Sequence, residues 1–121
     1  MDIPSQALAL RKARRHLIER MGEPRDLHEL ARLVGTNARR LNEAFRACAG
    51  VTAFEFLREE RMQAARRLLA DTALEVQSIA FDLGFTSGAN FATAFRERFG
   101  AAPTAFRRAL REGRLSLEDG G

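Results

Sequence analysis

The chain carries one pattern twice, and this repetition limits its possible folds more than any other feature. In the second half the pattern reads Gly84-Phe85-Thr86-Ser87, then Phe91, Phe95-Arg96, Gly100, Pro103 and Phe106. In the first half Ala31 matches Ala80, Gly35 matches Gly84 and Leu41 matches Phe91; Phe45-Arg46 match Phe95-Arg96, Gly50 matches Gly100, Phe56 matches Phe106 and Arg58 matches Arg108. The second copy is longer by a single residue between its glycine and the later marks. A small-residue turn between two short amphipathic helices, the second carrying Arg outward, is the sequence pattern of a helix-turn-helix. Two copies point to a reader of two neighbouring grooves. In a chain of 121 residues each lobe would hold about fifty, a size that is marginal alone because its surface-to-volume ratio is poor. The lobes are therefore expected to share a helix.

Charge narrows the partner. Lys and Arg total 20 against 16 Asp and Glu, for a net charge of +4 and a pI near 10.8, a balance that favours an anionic partner. Every basic residue except Lys12 is an Arg, which suits phosphate and guanine because the planar fork donates two parallel hydrogen bonds. Cys48 is the sole cysteine, so no internal disulfide or cysteine cage for a metal is available, and a reducing compartment is the default. No apolar run approaches the roughly twenty residues needed to span a bilayer, and the N-terminus lacks the uninterrupted apolar core of a signal peptide. A soluble protein of the cytoplasm is expected.

Taken in order, Met1 to Pro4 reads as a lead-in and Ser5 as the cap of a helix over about 5–20, with Leu8, Ala9, Ala13, Leu17 and Ile18 as its apolar stripe. Gly22 and Pro24 stop it. Asp26 and Glu29 have capping-box spacing, so a short helix begins at Leu27, buries Leu27, Leu30, Ala31 and Val34, and ends at Gly35. Asn37 caps the next helix, about 38–48. At about 100° per residue, Leu41, Ala44, Phe45 and Cys48 share its inner face, while Arg39, Glu43 and Arg46 point outward with Asn42 on the flank. Against base edges, Arg39 suits guanine, Asn42 adenine, and Glu43 accepts from a cytosine amino group.

Gly50 ends that helix, and Thr52 with Glu55 forms a second capping box opening the longest helix, about 52–70. Its Phe56, Leu57, Ala64, Ala65, Leu68 and Leu69 can serve both lobes. A helix over about 75–83 follows, with a poor cap at Glu75 and Val76, Ile79, Ala80 and Leu83 inward. Ser87 caps the sixth helix, which packs Phe91, Ala94 and Phe95 inward and presents Ala89, Ala92, Thr93 and Arg96 outward. Methyl groups can touch a thymine methyl but make no bidentate hydrogen bonds, so the second motif should position more than it reads. Pro103 opens a closing helix over about 103–111. Arg96, Arg98, Arg107, Arg108 and Arg111 face only Glu97 in this stretch, which makes it the strongest electrostatic feature of the chain. Residues 113–121 form an acidic, glycine-ended tail, expected to fray.

With these positions assembled, the chain resembles the DNA-binding domain of the AraC/XylS family of bacterial transcription regulators over Asp26 to Arg108. The resemblance rests on Leu30-Ala31, Gly35, Leu41, Phe45-Arg46, Gly50, Arg61, Ala65, Leu68-Leu69, Ile79-Ala80, Gly84-Phe85, Phe91, Phe95-Arg96, Gly100, Pro103 and Phe106-Arg107. It implies an all-α fold of seven helices in two helix-turn-helix lobes joined by a long shared helix, a duplicated homeodomain-like arrangement. The lobes would be residues 1–51, with a motif over about 27–48, and residues 71–112, with a motif over about 75–99, joined by the helix over 52–70. It further implies two recognition helices in successive major-groove segments. By position, base contacts fall on Arg39, Asn42 and Glu43 in the first motif and on Gly88, Ala89 and Thr93 in the second. Phosphate contacts are assigned to Asn37, Arg40, Arg46, Ser87, Asn90, Arg96, Arg107 and Arg108. Ala53 stands where the family usually has Pro, Thr93 where an Arg is common, and Asn37 where Ser is usual. The stretch from Asn37 to Phe45 is similar to a siderophore-responsive branch typified by pyochelin-uptake regulators.

Taken singly, Arg39, Arg46, Arg96, Arg107 and Arg108 read as ordinary solvated charges; their matched angular placement in both copies favours DNA. Phe45, Phe54, Phe56, Phe91, Phe95, Phe99 and Phe106 fall on inward stripes and read as core, not as stacking platforms for single strands. Cys48 reads as a small buried apolar residue, and His16 and His28 as surface residues without ligand spacing. No catalytic set or cofactor cradle is present, so neither an enzyme nor a cofactor is expected. Sequence-specific binding of double-stranded DNA for transcription regulation, most simply promoter activation, is the leading reading, with RNA polymerase and an additional effector-binding domain as further partners. A non-specific architectural DNA binder and a helical module that contacts RNA polymerase remain the alternatives at this level.

Overall fold

The computed structural model describes residues 3–23 and 26–115, with side chains from residue 7 onward. The expectations placed on Met1, Pro24 and residues 116–121 lie outside the described residues. Seven helices and no strand are present among those described: α1 (Ile3–Glu19), α2 (Leu27–Leu33), α3 (Ala38–Ala49), α4 (Ala53–Asp71), α5 (Val76–Asp82), α6 (Gly88–Phe99) and α7 (Pro103–Arg111). No helix among them is long and apolar enough to cross a membrane. The chain divides into two compact units, Met1–Glu60 and Arg61–Gly121, and the division falls inside α4. Helix α4 is a single uninterrupted element that contributes residues to each unit. Its buried residues divide accordingly. Ala53, Phe56 and Leu57 join the core of the first unit, whereas Met62, Ala65 and Leu69 are buried in the stretch belonging to the second.

In the first unit, α1 packs on α3 through Leu10, Ala13 and Leu17, which share a core with Leu30, Ala31, Leu41, Phe45 and Phe56. Helix α1 is described from Ile3, which places Ser5 within its first turn. Pro4 is tolerated there because a first-turn N–H has no partner within the helix. Leu8 and Ile18, placed on the apolar stripe from sequence, are 45% and 43% exposed, and His16 is half-buried rather than at the surface. The stripe is narrower than its pattern, since α1 is covered along one line only. Phe54 is likewise 72% exposed, at the rim of a hollow bounded by Leu17, Leu27 and Leu57.

The two copies are built by the same hydrogen bonds. At the end of α2 the Thr36 N–H donates to the Ala31 carbonyl (2.9 Å) and the Gly35 N–H to that of Arg32 (3.2 Å); at the end of α5 the Phe85 N–H donates to Ala80 (3.0 Å) and the Gly84 N–H to Phe81 (3.0 Å). This double closure requires a left-handed residue between the helices, and Gly35 and Gly84 supply it at φ 84° and 91°. A Cβ on Gly35 would meet nothing within 4 Å. The demand there is conformational, not spatial. The side chains that open the second helices also correspond, Asn37 Oδ1 accepting from the Arg40 N–H (2.9 Å) and Ser87 Oγ from the Asn90 N–H (3.0 Å). Thr52 Oγ1 accepts from the Glu55 N–H at 3.1 Å, the N-cap half of the expected capping box of α4, while the Thr52 hydroxyl donates to the Glu55 carboxylate at 3.2 Å. Glu75 makes no side-chain cap, as expected. Gly113, assigned from sequence to a frayed tail, instead closes α7 in the left-handed conformation, with the Arg114 N–H donating to the Ala109 carbonyl at 2.9 Å.

Because the space around Gly35 is open, Gly35→Ala isolates the conformational term. It should lower the unfolding free energy by about 1–2 kcal/mol in urea denaturation, and Gly35→Asn should lower it less. Equal stability of the alanine variant and the parent would refute the turn assignment.

Candidate nucleic-acid interface

Helix α3 is pinned from within, and this decides what it shows outward. Leu41 and Phe45 are 1% and 0% exposed, and the Phe45 ring packs on Phe56 with centroids 5.4 Å apart. Arg39, Arg40, Glu43 and Arg46 are exposed, and none of their side chains has a hydrogen bond or ion pair among the described residues. Glu43 lies one turn from both Arg39 and Arg46 yet pairs with neither, leaving donors and an acceptor on one short face. Asn42 differs. It is half-buried, and its Oδ1 accepts from the Ala53 N–H at 3.2 Å, bonding α3 to the first turn of α4. Its amide carbonyl is held toward α4, so the acceptor half of a bidentate pair with adenine is turned away from the outward face.

Cys48, expected on the inner face, is exposed. Ala47, Cys48 and Ala49 are all exposed, so the last turn of α3 extends past the core that covers Leu41 and Phe45.

Helix α6 repeats the construction with different outward chemistry. Phe91 and Phe95 are fully buried, and Phe95 packs on Phe106 at 5.3 Å. Outward stand Ala89, Thr93 and Arg96, all exposed, with Gly88 half-buried at the first position of the helix. Arg96 and, on α7, Arg108 have no side-chain partner among the described residues. Asn90 is partly engaged, its Nδ2 donating to Thr86 Oγ1 at 2.7 Å.

Arg107, expected among the phosphate contacts, is engaged within the protein. Its Nε donates to the Leu69 carbonyl (3.0 Å) and its two terminal nitrogens to those of Leu74 (2.6 Å) and Thr72 (3.3 Å). Burial, and then the charge of Arg111, hold its pKa below the ordinary arginine value. The reason lies in how α4 ends. Helices α2, α3, α5 and α6 are each followed by a left-handed glycine, whereas α4 runs into Thr72-Ala73-Leu74 with none. Its terminal carbonyls need donors from elsewhere. The Thr72 hydroxyl donates to the Leu68 carbonyl at 2.6 Å, and Arg107 serves the Leu69 carbonyl within the helix and those of Thr72 and Leu74 just beyond it. The repeat held the missed signal: Arg107 stands where the first copy has Leu57, which is 3% exposed, so the position points inward. Arg61, also half-buried, is likewise shifted down by burial.

Two units of one construction, each offering a pinned helix with free arginine on its outer side, define a tandem helix-turn-helix DNA-binding domain. Comparison with known proteins agrees. A helix-turn-helix domain family matches residues 30–109, and the chain belongs to this family in its AraC-type form, that of bacterial transcription regulators. The regulator GlxA of Rhizobium meliloti is 39% identical over 85 residues, covering 70% of this chain and 26% of GlxA. The ornithine utilization regulator of Pseudomonas aeruginosa is 35% identical over 100 residues, covering 83% of this chain and 29% of that protein. The chain therefore spans less than a third of either relative. Among solved structures, the DNA-binding domain of AdpA in complex with a target DNA matches with a TM-score of 0.81 at 28% identity, over 88% of this chain and 96% of that one.

Arg107→Ala leaves the end of α4 short of its donors and should cost about 2 kcal/mol of stability, read by thermal or urea unfolding, with the salt dependence of DNA binding unchanged. Arg107→Lys should recover only part of the loss, because an ammonium cannot span three carbonyls as a fork does. A lowered salt slope without loss of stability would return Arg107 to the phosphate contacts.

Proposed function

We propose that this chain binds double-stranded DNA sequence-specifically in the control of transcription, with α3 as the principal reader. The observation that carries this reading is the outward face of α3: Arg39 and Glu43 stand exposed and unpaired among the described residues while Leu41 and Phe45 are sealed beneath them. In a major groove, Arg39 donates to O6 and N7 of guanine, and Glu43 accepts from a cytosine amino group. Asn42 acts chiefly as a positioning residue through Ala53.

Helix α6 enters another major-groove segment with weaker discrimination. Gly88 permits close approach, and Ala89 and Thr93 offer apolar contact to thymine methyls. Arg40, Arg46, Arg96 and Arg108, helped by Asn37, Ser87 and Asn90, hold the sugar-phosphate backbone and set the register. The chain would serve as the DNA-binding part of a bacterial, cytoplasmic regulator that joins an effector-sensing domain and activates promoters through contact with RNA polymerase. The AraC-type family membership and the small share of each relative that the chain covers support this extension.

Selection of bound duplexes from a random pool, followed by titration of the selected sequence, tests the reading. Arg39→Ala should cost about 1–3 kcal/mol on that sequence and relax preference at one base pair. Arg46→Ala or Arg96→Ala should weaken all sequences alike and reduce the slope of log affinity against log salt by about one. Equal affinity of the parent for every duplex would favour an architectural binder, and no binding at low salt would remove DNA altogether.

A further inference from the structure

The positions assigned to base contact on the second recognition helix, Gly88, Ala89 and Thr93, carry no side chain able to make a bidentate contact with a base. Gly88 has none, and Ala89, Ala92 and Thr93 end in methyl or hydroxyl groups. The structure brings a different group to that place. A Cβ built on Gly88 would lie 3.8 Å from Cγ of Gln77, an ordinary van der Waals distance. The side chain of Gln77, from the second position of α5, therefore runs alongside the start of α6 where the first side chain of that helix would begin. Gln77 is exposed, and its amide has no hydrogen-bond partner among the described residues.

We propose that Gln77 is a base-reading residue of the second motif, its amide passing across Gly88 to pair with an adenine in the groove that α6 enters. This rests on the DNA-binding reading above. A glutamine amide carries a donor and an acceptor at the spacing of adenine N7 and N6, and among the described residues Gln77 spends neither. Asn90 spends its Nδ2 on Thr86. The glycine is part of the device, since a longer side chain at position 88 would contend with Gln77 for the same approach. The first copy needs no such arrangement. Its matching positions hold His28 and Ala38, and α3 carries Arg39 and Glu43 on its own outer face.

The test uses the duplex that the parent chain selects from a random pool, together with every single base-pair substitution of it. Gln77→Ala, an exposed change that favours helix, should leave the melting temperature in place. It should weaken the selected duplex about tenfold and level the penalties at one A·T position, with the other positions and the salt slope unchanged. Gln77→Glu should shift preference at that position toward a pair presenting cytosine, whose amino group a carboxylate accepts from. A uniform loss across all duplexes, which would make Gln77 a phosphate anchor, overturns the proposal, as does unchanged binding. A parent that discriminates among duplexes while Gln77→Ala discriminates identically rejects this inference alone. A parent with no preference rejects the reading on which it rests.

Discussion

Each recognition helix is held by one phenylalanine pressed against another. Phe45 packs on Phe56 and Phe95 on Phe106, at centroid distances of 5.4 and 5.3 Å, and Phe45 and Phe95 are wholly buried. Isolated helices shorter than about 12–15 residues are marginal in water, so helices of 12 residues such as α3 and α6 depend on this packing for their existence. Burying a phenylalanine stabilises by about 1.5–3 kcal/mol, more than propensity contributes over the same few residues. The contact also fixes rotation. Once Phe45 points inward, Arg39 and Glu43 must point outward, because successive residues are set about 100° apart. Core and interface are two consequences of one constraint.

Most of the fold was legible because its determinants are local. The glycine turns at Gly35 and Gly84, the caps at Asp26, Asn37, Thr52 and Ser87, and the inward Leu and Phe stripes each lie within a few residues of what they govern. The bonds seen at Asp26 (2.8 Å to the His28 N–H) and Ser87 (3.0 Å to the Asn90 N–H) follow from residue type and spacing alone. The repeat added long-range information, since a residue aligned between copies inherits the burial of its counterpart.

What escaped the sequence depends on partners far along the chain or on where a core stops. Arg107 is committed to carbonyls more than thirty residues away, and no local pattern announces that. Asn42 looked like a flank residue of α3, and only the placement of the first turn of α4 turns it into a brace. Phe54 and Cys48 failed for another reason: periodicity tells which side of a helix is apolar but not how far along the helix the covering layer extends. Both lie beyond that layer, near the junction of α3 and α4.

Arginine content on its own would have misjudged the interface, because the structure uses this residue in several ways, including ion pairs such as Arg20–Glu23 and Arg114–Glu112. Arg14 stacks over Phe56 at 5.2 Å, and Arg66 and Arg98 over Phe99 at 5.3 and 4.7 Å, where the weakly hydrated planar cation gains from the ring faces. Arg107 clamps the end of a helix. The set with no partner among the described residues, including Arg39, Arg40, Arg46, Arg96 and Arg108, is a fraction of the basic residues that set the pI near 10.8. Counterion release scales with phosphates neutralised, not with total charge, so non-specific attraction to a duplex is weaker than composition suggests. On the proposed reading, discrimination then comes from the few groups assigned to bases on α3 and at the start of α6, where a rigid helix leaves polar atoms unspent.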